Sequence, residues 1–122
     1  MKGVIKIMCD TVEKTLTSIL PRLGISPNIK GYHYICEAIQ IFLDSPRITI
    51  SFSKELYPEI ATRYNVTALS IEHAIRNAIH VGYNHCDSEF ADSIFQNTLQ
   101  SKSDVPTNTL FITTLAQWIK FQ

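Results

Sequence analysis

The stretch Tyr64–Tyr83, YNVTALSIEHAIRNAIHVGY, decides the fold. From Thr67 onward its apolar positions are Ala68, Ile71, Ala74, Ile75, Ala78, Ile79 and Gly82. That i, i+3, i+4, i+7 pattern predicts one long helix with a single buried face. Asn65 tolerates the left-handed conformation that closes a helix, and Thr67 can cap the start of the next. Upstream, PEIATRY (Pro58–Tyr64) predicts a short helix with Pro58 at its first position and Ile60, Ala61 and Tyr64 facing inward. Two helices joined by so tight a turn form a helix-turn-helix over about residues 58–83.

The wet face of the long helix is the unusual part. It carries Ser70, Glu72, His73, Arg76, Asn77 and His80. A helix that needs only solubility collects Lys and Glu, whereas these are short, forked or flat groups that donate and accept at close range. In a helix-turn-helix the second helix lies in the DNA major groove, with its amino-terminal exposed residues against base edges. Here those residues are Leu69, Ser70, Glu72, His73, Arg76 and Asn77. Arg suits the O6/N7 pair of guanine, Asn suits N6/N7 of adenine, and Glu accepts from cytosine N4. The bland reading stands beside this one. Glu72 and Arg76 are four apart, acid first, which by itself stabilises a solvated helix by a few tenths of a kcal/mol. The same geometry also occurs in bundles that never touch DNA. Pattern alone leaves both open.

Outward from this motif the chain reads as helices. Asp10 and Glu13 have capping-box spacing, followed by Val12, Leu16, Ile19, Leu20 and Leu23 at helical intervals. Gly24 is a natural stop, and Pro21 is expected to kink this first helix or end it early. A second helix starts near residues 29–31, buries Ile35, Ala38, Ile39 and Phe42, and ends before Pro46. RITISF (Arg47–Phe52) alternates like a strand but has no partner strand, so a turn or short helical piece is expected. After Asn84 comes an acidic segment with Phe90, Ile94, Phe95 and Leu99 inward. PTN around Asn108 caps a last helix carrying Leu110, Phe111, Leu115 and Trp118. The sum is a single all-α domain, residues 1–122, of about six helices.

Composition narrows the function classes. The chain has 122 residues, is 45% hydrophobic and 18% charged, and has zero formal net charge. Most nucleic-acid-binding domains are basic. The neutral total nevertheless hides an uneven distribution. Arg47, Lys54, Arg63 and Arg76 outnumber Glu55, Glu59 and Glu72, while Asp87, Glu89, Asp92 and Asp104 face only Lys102 in the next segment. Cys9, Cys36 and Cys86 show no zinc spacing, and their odd number argues against a disulfide framework. A reducing cytoplasm is the simple location, with no apolar run long enough for a signal peptide or a membrane span. His73 and His80 are seven apart on one face, and His85 and Cys86 are adjacent and diverge, so neither pair reads as a metal site. Cys86 with a histidine lacks any orienting group for nucleophilic catalysis, and no enzyme activity or cofactor is expected. Tyr32, Tyr34 and Tyr57 read as core-edge residues.

GISPNIKGYHYICEAI (Gly24–Ile39), LYPEIATRYNVTA (Leu56–Ala68), IEHAIRNAIHVGY (Ile71–Tyr83) and PTNTLF (Pro106–Phe111) recur in order. Together they closely resemble the carboxy-terminal effector domains of sporulation response regulators of the stage zero sporulation protein A type. The resemblance implies a six-helix, sequence-specific transcription regulator from endospore-forming bacteria. It implies binding to a short box in double-stranded DNA, often as tandem copies that seat a dimer, and contact with the sigma subunit of RNA polymerase. Thr67, Glu72 and Arg76 match the family on its recognition helix, about residues 67–83. The family pattern has Arg at the positions of Ser70 and His73, and His at that of Asn77. Losing two cations implies weaker binding or a changed box, with a shallower salt dependence. The family's sigma-contacting surface maps to Asn84–Phe95, where Asp87, Glu89 and Asp92 would face a basic patch, unless they form an ordinary solvated loop. Family regulators also carry an amino-terminal receiver domain, of order 100 residues. The few residues before the first expected helix do not hold one, so the chain is expected to be an excised effector or a receiver-less relative. The rival expectation is a protein-interaction module that keeps the fold, has lost DNA reading, and acts through polymerase or a full-length relative.

Overall fold

The structure is a computed structural model that describes residues 2–44, 51–95 and 105–121, with backbone alone for residues 2–10. Six α-helices follow in order: α1 (Lys2–Arg22), α2 (Lys30–Asp44), α3 (Tyr57–Tyr64), α4 (Ala68–His85), α5 (Ser88–Phe95) and α6 (Asn108–Lys120). A single π turn, Phe52–Leu56, runs directly into α3, and Ser51 caps it by accepting from the Lys54 N–H at 3.3 Å. No strand occurs among the described residues. The all-α reading holds.

Each junction follows from local chemistry. Gly24 has φ 80°, the left-handed geometry open to glycine. It lets Ile25 N–H donate to the Leu20 carbonyl at 2.9 Å while Gly24 N–H donates to Pro21 at 3.0 Å. These are the paired bonds of a Schellman ending, and Leu20 and Ile25 are both fully buried beside it. Asn65 ends α3 at φ 55°, ψ 47°. Thr67 then opens α4, its hydroxyl accepting from Ser70 N–H at 3.1 Å. A three-residue joint thus reverses the chain between α3 and α4.

The core is assembled around α2, which packs on α1, α3, α4 and α6. Leu16, Leu20, Ile25, Ile35, Ile39, Leu56, Ile60, Ile71, Ile75, Ile112 and Leu115 are fully buried. Each such side chain stabilises by roughly 1.5–3 kcal/mol relative to exposure. The predicted face of α4 is the buried one: Ile71, Ile75, Ala78, Ile79 and Gly82 point inward, with Ala68 and Ala74 half-buried. Where α2 crosses α4, Gly31 has no side chain. A Cβ there would collide with the Ala74 carbonyl and stand 2.7 Å from the Ala78 Cβ.

Several expectations change. The first helix begins at Lys2 rather than near Asp10, so the Asp10/Glu13 pair lies inside a helix and not at its start. Pro21 sits one residue from the end of α1, so it neither ends the helix early nor interrupts its middle. Tyr64 is not inward. It is 40% exposed and meets Tyr34 edge-on at 5.0 Å, on the rim of the core. The PTN cap holds, with Thr107 as the capping residue of α6, accepting from Leu110 N–H at 3.2 Å. Phe42, Phe90, Leu110 and Trp118 are only half-buried. Most of RITISF and Leu99 lie outside the described residues.

Candidate nucleic-acid interface

The amino-terminal half of α4 is presented rather than covered. Leu69, Ser70, His73, Arg76, Asn77 and His80 are all exposed, and Glu72 is half-buried. The expected residues therefore lie on one wet face that follows a sharp turn. Thr67 stands at its front end and is also exposed.

Their hydrogen bonds distinguish them. Besides accepting from Ser70 N–H, the Thr67 hydroxyl lies 2.8 Å from the Ser70 hydroxyl. One of the two hydroxyl protons joins the pair, leaving the other to donate outward. Glu72 and Arg76 form an ion pair along the helix, with 33% and 54% of their side chains exposed. Arg76 is therefore pre-positioned on the surface, with other guanidinium N–H groups left for an acceptor. Such a pair in water contributes little stability.

Beside this face a groove of about 590 Å³ lies between α4 and the start of α6. Glu72, Arg76 and His80 line one wall, and Thr107, Asn108 and Thr109 the other. Asn108 joins the two walls. Its amide donates to the Glu72 carbonyl at 3.0 Å and to the Tyr57 hydroxyl at 3.2 Å. It is the one buried polar residue among those described, 9% exposed, and it is satisfied. Burial raises the Tyr57 pKa above the ordinary 10.0, the Asn108 bond offsetting part of that rise. A buried amide thus holds α4 at the turn that carries Glu72 and His73. Sequence reading missed this because the partners are 51 and 36 residues away. His80 was legible as part of the wet face but not as a groove residue. Its helical spacing from Arg76 was the available signal.

The acidic segment divides. Asp87 caps α5, its carboxylate accepting from Phe90 N–H at 3.3 Å, and lies 3.7 Å from the Arg22 guanidinium. Its own N–H donates to the Arg22 carbonyl at 2.9 Å, while Arg22 stacks 3.7 Å over Phe90. Glu89 is exposed, and Asp92 is half-buried beside a small cavity lined with Leu23, Ile79 and Phe95. No group of three or more metal-binding side chains converges among the described residues. No described helix is long and apolar enough to cross a membrane.

The described residues form a helical domain with a three-residue joint between α3 and α4 and an uncovered face on α4. Residues 16–119 match the family described as "Sporulation initiation factor Spo0A C terminal". That span takes in α2 to α5, the latter part of α1 and almost all of α6. The family is one of DNA-binding transcription-factor domains rather than enzymes. With most of the chain matched, this protein belongs to the Spo0A carboxy-terminal family of sporulation initiation factors.

Proposed function

We propose that the chain is a sequence-specific transcription regulator that inserts α4 into the DNA major groove. The observation that carries this is the uncovered wet face of α4 directly after the three-residue joint. In this reading Arg76 takes the guanine O6/N7 edge, Asn77 an adenine and Glu72 a cytosine N4. His73 adds a donor or acceptor. Thr67 and Ser70 donate their remaining hydroxyl proton to a phosphate at the front of the helix. Asp87, Glu89 and Asp92 form the surface offered to the sigma subunit. Glu89 is its freest member, because Asp87 is committed to capping α5. Two copies sit on tandem boxes.

Binding to duplexes carrying the family's box tests this at low and moderate salt. The expected result is a complex that weakens as salt rises, with Arg76→Ala costing about 5- to 150-fold at a folded stability close to wild type. No complex at low salt overturns the reading. Zero net charge favours the second reading, a protein-interaction module of the same fold that acts through polymerase or a full-length relative. Such a module gives no salt-sensitive shift.

A further inference from the structure

Leu69 is 59% exposed, and it is the large hydrophobic side chain on the wet face of α4. The other exposed large hydrophobics among the described residues are Tyr64, at the end of α3, and Phe121, just past α6. A lone exposed leucine on an ordinary surface needs no explanation. This one stands in the middle of a row of hydrogen-bonding groups. At about 100° per residue, Leu69 and Arg76 differ by about 20° around the helix axis, with His80 also within about 20° of Leu69 and His73 within about 40°. The buried residues Ile71, Ile75 and Ala78 lie on the opposite side. Leu69 therefore shares the centre line of the face that carries Arg76.

The rest of the first turn is already committed. Ala68 is half-buried and Ile71 fully buried. Ser70 is engaged with Thr67 through both its N–H and its hydroxyl. Beside the one hydroxyl proton that the Thr67–Ser70 pair turns outward, Leu69 is the outward apolar group at the end of the helix that reaches deepest into the groove. The major groove offers one apolar feature that distinguishes bases, the C5-methyl of thymine.

We infer that Leu69 is a specificity-determining residue that packs on the methyl group of a thymine in the target box. This deepens the DNA-reading proposal and rests on it. Leu69 and Arg76 are about 10 Å apart along the axis. The thymine accordingly lies within about three base pairs of the guanine taken by Arg76.

The test starts with selection of bound duplexes from a random pool by the wild-type chain. Each thymine of the enriched site is then replaced singly by uracil, which removes only the methyl. One replacement is expected to weaken wild-type binding about fourfold, the effect of returning one methyl group to water. Leu69→Ala, at an exposed position where alanine is an equally good helix former, should bind the thymine site more weakly and be indifferent to that replacement. Wild-type binding unchanged at every replacement, or a Leu69→Ala variant with undiminished sensitivity, overturns the assignment while leaving DNA reading in place. Enrichment of no sequence overturns the DNA reading and this assignment together.

Discussion

Asn108 makes a small side chain answerable for the placement of a whole helix. Its two amide protons go to a buried phenol and to a half-buried main-chain carbonyl. Asn108→Asp keeps the shape but replaces both donors with acceptors, so an oxygen faces the Glu72 carbonyl. A buried polar group left without its partner costs about 1–3 kcal/mol, and more when it is charged. Asn108→Asp is expected to lower the unfolding free energy measured in urea by that amount, and to recover part of the loss as pH falls and the carboxyl gains a proton. An unchanged midpoint at neutral pH removes the bracing role. Exposed pairs behave differently. Arg63 reaches both Glu37 and Glu59, yet all three are between 31% and 48% exposed, and such bonds stabilise little.

At the scale of elements, the decisive contact is the crossing of α2 and α4. Gly31 brings the two backbones together because it carries nothing between them. Gly31→Ala gains helix propensity in isolation. In the folded chain the added methyl collides with the Ala74 carbonyl, and backbone on a rigid helix does not yield as a flexible side chain would. The helices must separate, at a cost of about 1–3 kcal/mol or more. Thermal unfolding checks this, with a lowered midpoint expected and an equal or raised midpoint contradicting the packing. Separation would also strain the Asn108 bond that ties α4 to α6. The local signals at element ends were legible beforehand: Asn65, Thr67 and Gly24 act through bonds to neighbours within five residues. Asp10 and Glu13 misled for the same reason, because capping-box spacing also occurs inside a longer helix.

For the whole molecule, stability against pH has a definite sign on the alkaline side. Burial, with help from Glu13 and Glu37, pushes the Cys36 thiol from the ordinary 9.0 up to about 12. As pH passes 9 the unfolded chain releases this proton while the folded chain keeps it. The contribution is therefore complete below pH 9 and is lost as pH climbs toward 12. Tyr57 is raised in the same direction, so it adds to the decline above pH 10. Cys36→Ala is expected to flatten the fall in denaturant midpoint between pH 9 and 11 relative to wild type. An identical slope in the two proteins would show the thiol to be no more buried folded than unfolded.

The sequence by itself determined the all-α class, the helix-turn-helix and the inward face of α4, because these follow from periodicity and from bonds made within a turn or two. It also marked Thr67, Ser70, Glu72, His73, Arg76 and Asn77 as one face. Only tertiary structure decided that Tyr64 sits on the rim and that Asn108 reaches back to α3 and α4. The reason is distance along the chain. Local patterns say which side of a helix is apolar, but which group meets a buried carbonyl depends on elements brought together from dozens of residues apart.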